Sequence, residues 1–229
     1  MVDLRKGVEA QLRQGDTVAA ACSLIVGLND PLVSSSLVMN DVGAEEVDSL
    51  SVNLVSFLSA SGSASARAGD LPDSWNKACL SLRITERYCD LKPGVAARMI
   101  PMAVSTLSGS AGLTLTRARE LASRGDTSGA IGVLDEALVR LSTSLPHLGA
   151  GQALVSLYRE KAALCLSVGK LSEGMTVSEA ISVMGPPTGQ DSVYAALSGE
   201  FYLMLSWDTV GALVRGDTVW ELVDARSMK

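Results

Sequence analysis

Chemistry that depends on an imidazole has one residue to draw on, His147, which follows Pro146 in a stretch that reads as a loop. Ser–His–Asp and Cys–His arrangements both need that ring beside a nucleophile, and no Gly-x-Ser-x-Gly elbow accompanies it. His147 therefore reads as an exposed loop residue. Cys22, Cys79, Cys89 and Cys165 form no Cys-x-x-Cys pair, and no His-x-x-x-His spacing exists, so the pattern offers no zinc site. The thiols read as free in a reducing compartment. Glu45-Glu46 and Asp135-Glu136 are adjacent in sequence, so on a helix they diverge and make no carboxylate dyad. Ser108-Gly109-Ser110-Ala111-Gly112, ahead of Arg117 and Arg119, is the one candidate phosphate cradle. It lacks the Gly-Lys-Ser/Thr ending and reads as a turn. No catalytic residue, cofactor or metal is expected, and the chain reads as non-enzymatic.

Binding chemistry leaves more to work with. A net charge of -6 and a pI near 4.9 argue against general binding to a phosphate backbone. Residues 75–98 gather Lys77, Arg83, Arg87, Lys92 and Arg98 with Trp75 and Tyr88 interleaved, but Glu86 and Asp90 intervene. Arg83 and Arg87, at i and i+4, share a helix face. That segment reads as a salt-bridged face or a partner interface ahead of an RNA contact. The candidate interaction residues are Trp75, Arg83, Arg87, Trp207 and Trp220. Two Arg-Gly-Asp triplets, at 124–126 and 215–217, are accounted for by helix corners and need no integrin.

The elements that would position these residues are read from periodicity and punctuation. The phrase Gly-Asp-Thr recurs at 15–17, 125–127 and 216–218, and Asp208-Thr209 is a partial copy. Glycine suits the position just past a helix end, and Asp or Thr suits the N-cap of the next helix. Each copy is therefore expected to be a corner between two helices. Helices are predicted over 3–14, 17–28, 44–59, 75–91, 95–108, 113–124, 128–142, 151–168 and 172–184, with a break or kink at Pro101. Three more are predicted at 191–206, 208–215 and 217–227, the last opened by a Thr218-x-x-Glu221 capping box. The fold class is all-α: antiparallel helical hairpins in an irregular stack or bundle, about 9–11 helices. The Ala/Ser/Gly-rich run from residue 60 has the composition of a flexible loop. It divides the chain into an N-terminal hairpin unit (1–59), a loop or linker (60–72) and a main helical domain (73–229).

Residues 114–145 resemble a tetratricopeptide repeat, a helix hairpin of about 34 residues. Ala118 and Leu121 take the first-helix positions, Gly125 the turn, and Ala130, Leu134 and Ala137 the second helix. A second match uses Ala162, Gly169, Gly174 and Pro186. Its turn glycine lies 44 residues after the first, and the aromatic positions of the repeat are mostly lost. The resemblance implies stacked hairpins with a concave face that binds protein.

Hydrophobic residues make up 47% of the chain but aromatics only 4%, so the apolar content is mainly Ala, Val and Leu. Charged residues, at 19%, fall below the usual quarter, which suits burial against a partner. Residues 1–6 lack the apolar region of a signal peptide, and the longest apolar runs are too short to span a bilayer. The expectation is a cytoplasmic scaffold or adaptor that contacts a protein partner or copies of itself. The alternative is a self-assembling structural protein, such as a viral or phage coat or nucleocapsid subunit.

Overall fold

The computed structural model describes residues 2–142, 150–195, 200–207 and 210–224. Among them are nine helices followed by a four-stranded antiparallel sheet, so the chain is mostly α but not all-α. The helices are α1 (Val2–Arg13), α2 (Thr17–Leu28), α3 (Pro31–Val38), α4 (Ala44–Arg67), α5 (Leu71–Leu91), α6 (Pro93–Ser123), α7 (Thr127–Ser142), α8 (Ala150–Ser167) and α9 (Val177–Met184). The strands are β1 (Gly189–Ala195), β2 (Glu200–Trp207), β3 (Val210–Arg215) and β4 (Thr218–Asp224), in the order β1-β2-β3-β4. His147 lies outside the described residues.

The chain divides into two compact units, Met1–Leu113 with Val139–Gly151, and Thr114–Leu138 with Gln152–Lys229. The division falls inside α6 and α7, not in the small-residue run where a linker is predicted. That run is helical as far as Arg67, and only residues 68–70 lie between α4 and α5. Its composition serves close packing. A Cβ on Gly62 would come within 2.9 Å of Thr106 Cγ2 and 3.2 Å of Lys77 Cβ. A side chain there forces those neighbours to shift.

In the first unit, α1 and α2 pack together, α4 packs along α5, and α2 and α3 lie against α5. The core joins Val8, Leu24, Leu28, Leu37, Val47, Leu54, Leu58, Ile84 and Met99. Each fully buried leucine of this kind contributes roughly 1.5–3 kcal/mol. The Gly15 and Gly125 corners form as the sequence predicts. Gly15, at φ 79°, donates to Leu12 O, Asp16 N donates to Gln11 O, and Asp16 Oδ1 accepts from Ala19 N at 2.8 Å. Gly125 and Asp126 repeat the arrangement, with Gly129 N donating to Asp126 Oδ1 at 2.8 Å. α3, which the sequence reading misses, starts on the Asp30-Pro31 pair. Asp30 Oδ1 accepts from Leu32 N, and proline at the first helical position gives up no needed N–H. Asn40, at φ 56°, ends it in the left-handed conformation.

α6 runs without a break from Pro93 to Ser123, through Pro101 and through the turn predicted at 108–112. Pro101 and Ala97, whose carbonyl loses its donor, both face solvent, so water can satisfy the loss. The 108–112 run lies inside the helix, where its amides point along the axis and form no phosphate cradle. Ser110 Oγ instead meets Ser74 Oγ at 2.6 Å.

The largest correction falls in the second unit, where strands replace the three helices predicted beyond residue 190. The third Gly-Asp-Thr copy is a hairpin turn: Gly216, at φ 65°, joins β3 to β4. Thr218-x-x-Glu221 is strand and caps nothing; the capping box of this region is Thr176 with Glu179. One sheet face carries Leu203, Leu205, Trp207, Ala212, Val214 and Val219 toward Ala162, Cys165, Ala180 and Met184 of α8 and α9. A bulge opposite Leu213/Val214 makes Trp220 the extra residue of β4. The segment before α9 covers the start of that strand. Gly174 N donates to Val219 O, Val219 N to Met175 O and Val177 N to Asp217 O, at 2.7–2.9 Å.

Candidate interaction surface

The five residues singled out in the sequence separate into different roles. Trp75 is buried in α5. Trp207 is buried on β2, where its Nε1 donates to Gly185 O at 2.9 Å. Arg87 is held by its neighbours: Nε donates to Leu28 O at 3.0 Å, Nη2 to Ser34 Oγ at 3.4 Å, and Asp90 pairs with it at 3.8 Å. Arg83 and Trp220 are exposed, one in each unit. The basic residues of 75–98 are therefore not one free patch. Lys77 pairs with Asp73, and Lys92 Nζ donates to the half-buried Asp48 at 2.6 Å.

The Lys77 cluster holds serine, lysine and aspartate within bonding reach, a combination that can make a nucleophile. Ser65 Oγ donates to Asp73 Oδ2; Lys77 Nζ donates to the same oxygen at 2.5 Å and to Ser65 Oγ at 3.2 Å. The Lys77 bond, and then the Ser65 bond, hold the Asp73 carboxyl below its usual range. A carboxylate stabilised in this way is a poor base. The cluster ties α4 to α5. The buried pair Tyr88 OH and Ser51 Oγ, 3.0 Å apart, does the same deeper in the core. Burial pushes the Tyr88 phenol well above its ordinary range; the Ser51 bond opposes this, and nearby Asp48 adds to it.

In the second unit Arg119 donates through Nε and Nη2 to Glu160 Oε2, at 3.0 and 2.7 Å, and the buried Lys161 meets Asp135 at 2.7 Å. These bonds fix α8 against α6 and α7. A cleft of about 630 Å³ opens where α8 meets the ends of β3 and β4. Ala163, Leu166, Val210 and Leu222 line it, with Arg159 and Asp224 contributing one charge of each sign. Such a lining suits binding and offers no pair for proton transfer.

The exposed aromatics lie at one end of the sheet as two pairs, Tyr194 with Phe201 on one face and Trp220 with Arg215 on the other. Leu203 pairs with Val214 across β2 and β3, so the Ala195–Glu200 pair and the Gly216-Asp217 turn lie at the same end. Tyr194 and Phe201 are cross-strand partners there, ring centroids 5.0 Å apart. They continue the alternation of Leu203, Leu205 and Trp207, so they lie on the core face past its buried part. Phe201 is 75% exposed. The Arg215 guanidinium sits 5.4 Å from the Trp220 ring, which is 55% exposed. Of these four residues the sequence reading picks out only Trp220. The signal for the others was the Gly216-Asp217 pair between two β-rich runs.

Comparison with protein-family models, with curated proteins and with solved structures finds no match to this chain. Among the described residues no group of His, Cys, Asp and Glu could hold a metal ion. No single described helix is long and apolar enough to cross a membrane.

Proposed function

We propose that the chain is a non-enzymatic cytoplasmic scaffold or adaptor, that its helical hairpins form the framework, and that the end of the sheet bearing Tyr194, Phe201 and Trp220 is a protein-docking surface. The observation that carries this reading is the exposed set Tyr194, Phe201, Arg215 and Trp220 at one sheet end. Aromatic and arginine side chains dominate the binding energy of protein interfaces, because they bury large areas while losing little conformational freedom. The test is a proximity-labelling comparison of the unmutated chain with the Phe201→Ser/Trp220→Ala double variant. Both side chains are solvent-exposed, so the variant keeps its circular dichroism and melting behaviour while losing a defined set of neighbours. An unchanged set of neighbours overturns the reading.

Self-assembly, as in a coat or nucleocapsid subunit, is the second reading. It is favoured by the stretch from Thr17 to Asn29, which contains no charged residue. Light scattering on the eluting protein decides it: a monomer at all concentrations excludes self-assembly, and large discrete particles exclude the simple adaptor.

A further inference from the structure

The first unit carries an exposed face that is apolar and bracketed by charge of one sign. From Thr17 to Val38 the only charged residue is Asp30. α3 turns Ser34 and Leu37 inward and presents Pro31, Leu32, Ser35, Val38 and Met39 to solvent, with Val42 in the turn leading to α4. Leu32 is 80% exposed, Met39 76% and Val42 93%, and Val26 at the end of α2 is 72% exposed. Isolated apolar residues on a surface are ordinary, whereas a run of them without charge marks a contact.

The surrounding charge says what kind of contact. Between Arg13 and Arg67 the chain has no Lys, Arg or His, but it has Asp16, Asp30, Asp41, Glu45, Glu46 and Asp48. Asp30 sits immediately before α3, and Asp41 lies two residues past Met39. Among the described residues Asp30, Asp41 and Glu45 make no ion pair. Glu46 meets Arg5 and Asp48 meets Lys92, and Arg87 reaches α3 from its buried Ser34 side. An anionic membrane is repelled by such a rim. A symmetric contact between two copies of the face would set these carboxylates against each other.

We propose that the outer face of α3, with Val26 and Val42, docks an amphipathic helix whose apolar stripe is flanked at both ends by Lys or Arg. Eight residues of helix span roughly 12 Å, so the flanking cations stand about 8–11 residues apart along a docked helix. This surface lies in the first unit and is tested independently of the sheet surface.

The test is fluorescence anisotropy of the full chain with two labelled helical peptides. They share a Leu stripe and carry either Lys or Glu at both ends. The Lys peptide binds, and the Glu peptide binds about tenfold more weakly or worse. Leu32→Ser with Met39→Ser weakens the Lys peptide about tenfold. Asp41→Asn with Glu45→Gln weakens it and flattens its salt dependence, while the exposed Phe57→Ser changes nothing. Equal binding of the two peptides, no binding of the Lys peptide, or indifference to Leu32→Ser/Met39→Ser overturns the proposal. So does a concentration-dependent mass, or binding to phosphatidylserine vesicles, that the same double variant abolishes; these identify a second copy or a membrane as the occupant.

Discussion

Two glycines in the first unit, both inside helices, are expected to respond to alanine with opposite signs. Gly109 lies on the exposed side of α6 with nothing within 4 Å of a Cβ. Gly109→Ala therefore gains the helix-propensity difference alone, about 0.8–1.0 kcal/mol. Gly62 has the same gain available on α4, but its Cβ would stand 2.9 Å from Thr106 Cγ2 and 3.2 Å from Lys77 Cβ. Overpacking of that kind costs about 1–3 kcal/mol, so Gly62→Ala ends between neutral and about 2 kcal/mol destabilised. Subtracting the two variants cancels the propensity and leaves the packing cost. Urea denaturation followed by far-UV circular dichroism measures both. Thr106→Ser removes the offending methyl and keeps the hydroxyl that donates to Met102 O, so it restores part of the loss in the Gly62→Ala background. If Gly62→Ala stabilises as much as Gly109→Ala, residues 60–67 are not a packed helix against α5 and α6.

Tyr88→Phe removes the partner of Ser51 Oγ, which keeps its bond to Val47 O, so a loss of about 1 kcal/mol is expected in the urea midpoint. Asp73 has its folded pKa lowered by Lys77 and Ser65, so its contribution is complete above the ordinary carboxylate range and is lost as pH falls through the depressed value. Asp73→Asn should lower the urea midpoint at about pH 7 and flatten its acid decline; an unchanged decline refutes the assignment. Asn40→Gly should be neutral or stabilising in a thermal melt. Asn40→Val should cost about 1–2 kcal/mol, because Asn40 has φ 56°.

How much of this was legible depends on which forces act locally. The corners at Gly15 and Gly125 are written in adjacent residues, and most helices up to α8 follow from apolar spacing. The third Gly-Asp-Thr copy shows the limit of that reasoning. A left-handed glycine followed by aspartate specifies a turn, and the same turn serves a helix end or a β-hairpin. The flanking runs decide, and the bulge at Trp220 breaks the alternation that would have revealed β4. The Ala/Ser/Gly run at 60–67 fails for another reason. Its composition fits both a flexible tether and a close helix contact, and only partners distant in sequence, such as Thr106, distinguish them. The aromatic end of the sheet was hidden because Trp220 meets Arg215, and Tyr194 meets Phe201, only once strands are paired.

The pairing of residues 174–177 with the start of β4 makes the two borders of the sheet unequal. Backbone groups at 217–219 are already taken, and the bulge at Trp220 bends the remainder of the strand. Among the described residues β1 keeps a border of seven residues without proline. It therefore offers the longer uninterrupted border for the addition of a further strand, and β4 offers a short, bent one.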